Sequence, residues 1–192
     1  MKIGYSVEGS TDRAFLMGLQ TRWCPLAEMI PGHFRGETGE SLRRELRQIC
    51  EELAIKSVDA MVFLTDSNDR PWRDFQHEMR QVFPQERREL AILGVAERNV
   101  ECWICQDVNY VATKLNVPSS ELAVPDPKGR FESAIGMSAT DKKESEIASL
   151  VEEAPLRNWL TSDSFNDFYE QVRDMGQRHR CAIQNLRDRH AV

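Results

Sequence analysis

The stretch "DAMVFLTDSND", residues 59–69, decides the fold that the sequence predicts. Its centre, "AMVFL", is a continuous apolar run with no polar alternation, which is typical of a strand buried on both faces. The run ends in acids, because Asp66 and Asp69 come shortly after it. The sequence therefore predicts a buried strand that carries carboxylates at its carboxyl end.

Strand and helix patterns alternate on both sides of this stretch. Strands are predicted at 2–8 and 90–97, with a weaker one within 27–36. Helices are predicted at 10–23, 40–53, 70–83 and 99–116. Such alternation favours an α/β fold with a mostly parallel sheet flanked by helices.

The alternation stops after Pro118, where helices are predicted at 142–154 and 164–189. A helical extension packed on the sheet explains this change more economically than a second domain does. We expect a single domain over residues 1–192, with an α/β core at 1–117 and a mainly helical extension at 118–192.

Charge limits what the chain can bind. It has 192 residues and a net charge of −6, so no global positive field attracts nucleic acid. The clearest basic stretch runs from 173 to 189, and Arg178 and Arg180 within it are the candidate phosphate contacts. The alternative of a solvated helix face stays open, and "RRELR" at 43–47 is a weaker patch of the same kind.

No stretch approaches about 20 consecutive apolar residues, so we expect no membrane span. The first residues lack the apolar segment of a secretory signal, which favours a cytoplasmic location. The five cysteines, at 24, 50, 102, 105 and 181, are therefore expected to be reduced thiols. Cys102 and Cys105 have a Cys-x-x-Cys spacing, but no second pair completes a zinc site, so they are interpreted as buried core thiols.

Acidic residues follow three of the predicted strands: Glu8, then Asp66 and Asp69, then Glu97, Glu101 and Asp107. Sites in open parallel sheets form at the carboxyl ends of strands, so these side chains should converge at one edge. Converging carboxylates repel each other, and a cation such as Mg²⁺ or Mn²⁺ would relieve the repulsion. Such a site positions phosphate and activates water.

Each acid also has a purely structural interpretation. The turn after Glu8 could serve only to let Ser10 or Thr11 cap the next helix. The two aspartates of the third strand could cap the helix that begins at Pro71. The glutamates after the fourth strand could lie on a solvated helix face. The occurrence of acids at three strand ends favours a shared functional site over these separate structural roles.

Several of these elements, in this order, resemble the Toprim domain family: "SVEGSTD" at 6–12, "VFLTDSND" at 62–69, "ECWICQD" at 101–107, "DPK" at 126–128 and "SFNDFYEQV" at 164–172. The strongest likeness is to small stand-alone Toprim-like proteins of uncharacterised function. They are related to the Toprim domains of topoisomerases, primases and nucleases of the overcoming-lysogenization-defect kind. The resemblance implies a Toprim-like parallel sheet.

The resemblance also implies roles for individual residues. Glu8 would be a general acid/base or a metal ligand, and Asp66 and Asp69 would hold Mg²⁺ or Mn²⁺. Glu101 would be a further metal-binding acid at the same edge. Lys128 would reach a phosphate or stabilise charge in the transition state.

Two departures from the family pattern stand out. Asp12 occupies a position where the family more often has glutamate. The spacing from Asp66 to Asp69 is one residue longer than the family's Asp-x-Asp. Asp107 would be another acid near the same edge.

Three functions are compatible with the sequence. The leading hypothesis is a Toprim-type, Mg²⁺-dependent nuclease that hydrolyses nucleic acid, with DNA as the expected substrate. The alternative is a Toprim-like binding or effector module that acts with a partner protein such as an ATPase, as in phage defence. A small-molecule phosphohydrolase ranks last, because the first strand lacks a nucleophilic Asp-x-Asp.

Overall fold

A computed structural model describes residues 1–33, 38–136, 140–181, 183 and 185–187. Within them, one sheet of four parallel strands has the order β2-β1-β3-β4. The strands are β1 (Lys2–Val7), β2 (Glu28–Pro31), β3 (Ala60–Asp66) and β4 (Ala91–Ala96). The predicted α/β class, with a parallel sheet flanked by helices and a helical carboxyl-terminal part, is confirmed.

The helices within these residues are α1 (Ser10–Trp23), α2 (Gly39–Ile55), α3 (Trp72–Val82), α4 (Val100–Ile104), α5 (Val108–Leu115), α6 (Ser119–Leu122), α7 (Lys128–Ala134), α8 (Thr140–Glu153) and α9 (Asp163–His179). Short 3₁₀ helices cover Gln85–Leu90, Cys105–Asp107 and Leu156–Thr161. None of the helices in the described residues is both long and apolar enough to cross a lipid bilayer.

The quoted stretch lies at the centre of the molecule. Every residue of β3 is buried, as its unbroken apolar run predicts. Phe63 faces a core formed with α2 and α3, whereas Val62 and Leu64 face a second core. That second core contains residues of α1, α4 and the carboxyl-terminal helices, including a cluster of aromatic rings around Trp103. The sheet is therefore covered on both faces.

Two of the predicted helices are shorter than expected. The helix predicted over 99–116 is interrupted at Asp107, whose backbone is not helical. The Asp107 carboxylate caps α5 by accepting from the Tyr110 backbone N–H. The helix predicted over 164–189 ends at His179, because Arg180 takes a left-handed conformation with φ of 59°. Leu186 is then buried, and its N–H donates to the Tyr169 hydroxyl at 2.9 Å. Residues 182, 184, 188 and 189 of that predicted helix lie outside the described residues.

The expectation of five reduced thiols is wrong for two of the cysteines. Cys24, after α1, and Cys181, after α9, form a disulfide across a sequence separation of 157 residues. Sequence spacing did not indicate this pair, because only the return of the chain after α9 brings Cys181 to α1. Cys50, Cys102 and Cys105 are free. Cys105 is buried as predicted, and Cys102 is partly exposed.

Candidate active site

The carboxyl ends of β1 and β3 form the base of the site. These strands are hydrogen-bonded neighbours, and Val7 lies opposite Leu64. Glu8 therefore reaches the end of β3, where its Oε1 accepts from the Asp66 backbone N–H at 2.9 Å and from the Thr65 hydroxyl. The sequence placed Glu8 and Asp66 at strand ends, and the parallel pairing brings them together.

Asp12 is the site residue to which sequence reasoning assigned no role. Neither Ser10 nor Thr11 caps α1. The N-cap is Gly9, and its backbone N–H donates to Asp12 Oδ2 at 2.8 Å. Asp12 is only 6% exposed, and burial, together with the charges of Glu101 and Glu8, raises its pKa to about 7. An acid at the third position of a helix is a capping-box signal, and it could have indicated this inward orientation.

The side chain of Asp66 is also bound by helix α4. Its Oδ1 accepts from the backbone N–H of Val100, the first residue of α4, at 3.1 Å. The carboxylate is 8% exposed, and burial raises its pKa to about 8, with further contributions from the charges of Asp12 and Glu8. Neither Asp66 nor Asp69 caps α3, whose N-cap is Pro71 with no side-chain bond. The capping interpretation is therefore wrong for these aspartates.

Glu101 completes the group of carboxylates. It lies in the first turn of α4 and is 2% exposed, which excludes the solvated helix face that was the alternative. Burial raises its pKa, and the nearby charge of Lys128 opposes that rise. We call Glu8, Asp12, Asp66 and Glu101 the carboxylate cluster.

Lys128 brings a positive charge to the cluster. Its Nζ lies 3.9 Å from Asp66 Oδ2, and its side chain is about half exposed. Burial alone would lower the pKa of Lys128, but the charges of Glu101, Asp66 and other carboxylates outweigh it and raise the pKa. The ammonium is therefore charged and open to solvent on one side.

A chain of hydrogen bonds positions Lys128. Asn99 caps α4 by accepting from Cys102 N at 3.1 Å, and its Nδ2 donates to Asp126 Oδ1 at 3.0 Å. The same Asp126 oxygen accepts from the Lys128 backbone N–H at 3.2 Å. Bonds from Asn99 and from the Lys128 backbone lower the pKa of Asp126. The "DPK" element is thus tied to the helix that carries Glu101.

Other predicted residues lie elsewhere. Asp69 and Glu97 are exposed in the turns after β3 and β4. Asp107 caps α5 and accepts from Asn158 Nδ2 at 2.6 Å. Arg178 and Arg180 are exposed at the end of α9, and Arg178 Nη1 donates to the Glu89 carbonyl at 2.8 Å. Glu89 precedes β4, so Arg178 lies towards the amino ends of the strands, away from the carboxylate cluster.

The cluster supplies oxygen donors of the kind that Mg²⁺ and Mn²⁺ prefer. Within residues 1–33, 38–136, 140–181, 183 and 185–187, no group of three or more His, Cys, Asp or Glu is arranged to hold a metal ion. Mg²⁺ is usually bound by one or two carboxylates, with waters and substrate phosphates as the other ligands. The donor chemistry therefore fits a hard cation, although the side chains do not enclose one.

The fold and site define an α/β protein with a carboxylate cluster, three of whose four acids are buried, at the carboxyl end of a parallel sheet. Comparison of the chain with models of protein families, with curated proteins and with solved structures found no significant match.

Proposed function

We propose that this protein is a metal-dependent nuclease of the Toprim type that hydrolyses phosphodiester bonds, with DNA as the expected substrate. One observation carries the proposal: four carboxylates from β1, α1, β3 and α4 converge beside the half-exposed Lys128. Burial of like charges costs free energy, and groups with such shifted pKa values are concentrated at functional sites. Binding of a cation and a phosphate would offset the repulsion between these carboxylates.

Asp12 and Asp66 are the residues that would hold Mg²⁺ or Mn²⁺. When bound, the cation would neutralise phosphate charge and lower the pKa of a bound water. Asp69 stays outside this ligand set, because it is exposed and is not among the main charges that act on Asp66. Glu101, fully buried behind Lys128, would contribute charge to the site.

Lys128 would bind the scissile phosphate, because its ammonium is charged, partly exposed and fixed through Asp126. It would stabilise the negative charge that grows on the phosphoryl oxygens in the transition state. Glu8 would accept the proton of the attacking water. The water oxygen bonds to phosphorus, the phosphorus–oxygen ester bond breaks, and the leaving oxygen takes a proton from solvent.

Purified protein incubated with labelled DNA and RNA in Mg²⁺ or Mn²⁺ tests the proposal. We expect cleavage that falls by about a hundredfold or more in Glu8→Gln and in Asp66→Asn. Both substitutions keep an acceptor oxygen for the backbone bonds at 2.9 and 3.1 Å, so both variants should fold. Glu97→Gln is the matched control, because it removes an exposed acid after β4. Cleavage that survives both cluster substitutions would contradict the proposal.

The second candidate is a Toprim-like binding module that acts with a partner such as an ATPase. The bonds of Glu8 favour it, because one carboxylate oxygen already accepts from Thr65 and from the Asp66 backbone. This candidate predicts no cleavage by the chain alone and a stable complex with the partner. Either proposal includes a cytoplasmic location. The cytoplasm is reducing, so the Cys24–Cys181 disulfide would be exposed to reduction there.

A further inference from the structure

A cleft of about 830 Å³ lies between the carboxyl-terminal half of α2, the end of α3 and the 3₁₀ helix Gln85–Leu90. A smaller cavity of about 240 Å³ shares Gln81, Phe83 and Arg88 with it, so the two lie side by side. We call the combined cleft the arginine groove, after the four arginines that line it: Arg47, Arg80, Arg87 and Arg88.

The groove lies at the opposite end of the sheet from the carboxylate cluster. Arg87 and Arg88 immediately precede β4, which begins at Ala91. Ala91 pairs with Met61, whereas Asp66 pairs with Ala96 at the other end of the same two strands. Five residue steps along a strand correspond to about 16 Å. A ligand in the groove therefore does not occupy the proposed active site.

The arginines of the groove have no carboxylate partner within the part of the chain that the structure describes, because none of the four forms an ion pair there. Elsewhere, six arginines do pair with carboxylates: Arg13, Arg43, Arg70, Arg73, Arg173 and Arg187.

Two acids, Glu51 and Glu86, also line the groove, so four positive charges face two negative ones. The groove thus carries an excess of two positive charges on a chain whose net charge is −6. Guanidinium groups without a carboxylate partner present donor forks that match phosphate oxygens.

We propose that the arginine groove binds the phosphodiester backbone of nucleic acid. Three elements supply its arginines, and the cleft is open to solvent, which suits an extended polyanion. A small ligand is usually enclosed over most of its surface. Arg178, anchored on the Glu89 carbonyl, extends the positive surface beyond the groove. The identity of the polyanion rests on the proposed function, whereas the groove and its charge do not.

The groove supplies the local basic patch that an acidic chain needs to hold nucleic acid. The basic stretch at 43–47 indicated only part of the groove. Arg47 lines the groove, whereas Arg43 pairs with Glu40 at 2.6 Å. Arg87 and Arg88 are adjacent but lie between Glu86 and Glu89, and Arg80 stands apart from them, so no extended run of basic residues marks the groove.

Fluorescence anisotropy with a labelled single-stranded DNA of about 20 nucleotides, in EDTA so that no cleavage occurs, tests the proposal. The variant carries Arg47→Glu and Arg88→Glu, two exposed side chains whose reversal leaves the core intact. We expect its Kd to rise at least tenfold, and the slope of log affinity against log salt to fall in magnitude by about 1.4. Arg157→Glu, at an exposed arginine outside the groove, is the matched control and should bind within twofold of wild type.

Three outcomes would overturn the proposal. The first is wild-type affinity in the double variant. The second is a fall in log affinity in Arg157→Glu that is half of the fall in the double variant. That result would show a response to net charge alone, because the control carries one charge reversal and the double variant carries two. The third is displacement of the DNA by ATP at an equal concentration of phosphate groups, which would assign the groove to a free nucleotide. Wild-type chain that binds DNA through the groove in EDTA but does not cleave it in Mg²⁺ or Mn²⁺ would reject only the proposed nuclease.

Discussion

Lys128 Nζ lies 3.9 Å from Asp66 Oδ2, at the edge of a site in which Asp12, Asp66 and Glu101 are buried. The two residues belong to distant elements, the end of β3 and the start of α7. The contact places a charged ammonium between a group of repelling acids and solvent. This arrangement makes Lys128 the residue through which the site would meet a phosphate.

Replacement of Lys128 by methionine should lower kcat/KM for oligonucleotide cleavage by about 10²–10³-fold, because it removes a charge that stabilises the transition state. The side chain is about half exposed, so the variant should fold. Lys114→Met, which removes a surface ammonium bound to Glu153, is the control and should keep activity. Cleavage within threefold of wild type in Lys128→Met would contradict the role given to this lysine.

Stability should depend on pH through Asp12 and Asp66. Their pKa values rise from 3.8 to about 7 and about 8 on folding, so the folded state binds protons more tightly than the unfolded state. The stabilisation is complete below the unfolded pKa of 3.8 and is lost as pH rises through about 7 and 8. The free energy of unfolding should therefore fall by a few kcal/mol between about pH 5.5 and 8.5.

Urea denaturation in EDTA across this range measures the effect. Asp66→Asn should flatten the profile, because it removes the group with the more strongly raised pKa. Mg²⁺ should restore stability mainly at high pH, where the carboxylates are charged. A profile that rises from pH 5.5 to 8.5 in EDTA would show that the cluster is not protonated in the folded protein.

Asp126 should act as a positioning residue for Lys128. Asp126→Ala removes the acceptor that joins Asn99 to the Lys128 backbone, and it should lower kcat by about tenfold or more with little change in KM. Asp126→Asn keeps an acceptor oxygen at the same place and should retain most of the activity. Equal losses in both variants would show that charge, and not position, is what Asp126 contributes.

The Cys24–Cys181 disulfide should stabilise the fold. It closes a separation of 157 residues, so Cys181→Ser should lower the free energy of unfolding by about 3–5 kcal/mol. Cys102→Ser is the control, because Cys102 is free and partly exposed. Alkylation of denatured, unreduced protein followed by mass spectrometry should modify three cysteines, Cys50, Cys102 and Cys105. Modification of all five would show that the disulfide does not form.

The sequence by itself determined the class of fold and named three of the four carboxylates of the cluster. The apolar run before Asp66 predicted a strand buried on both faces. Successive side chains of a strand point to opposite faces of the sheet, so an unbroken apolar run makes both faces apolar. Leu42, Leu46, Ile49 and Leu53 recur at helical spacing, and all four are buried on one face of α2. Glu8 was named as a site residue because it follows a predicted strand, and local sequence patterns are enough to locate the end of a strand.

Only the tertiary structure decided the remainder. Asp12 joins the cluster and Asp69 does not, although both follow strands, because the bond to Gly9 turns Asp12 inward while Asp69 lies in an exposed turn. Cys24 bonds to Cys181 across 157 residues, and Arg47 of α2 lines the same cleft as Arg87 and Arg88, which lie far along the sequence. Periodicity reports which face of one element is apolar, whereas these contacts depend on how separate elements approach, which no local pattern encodes.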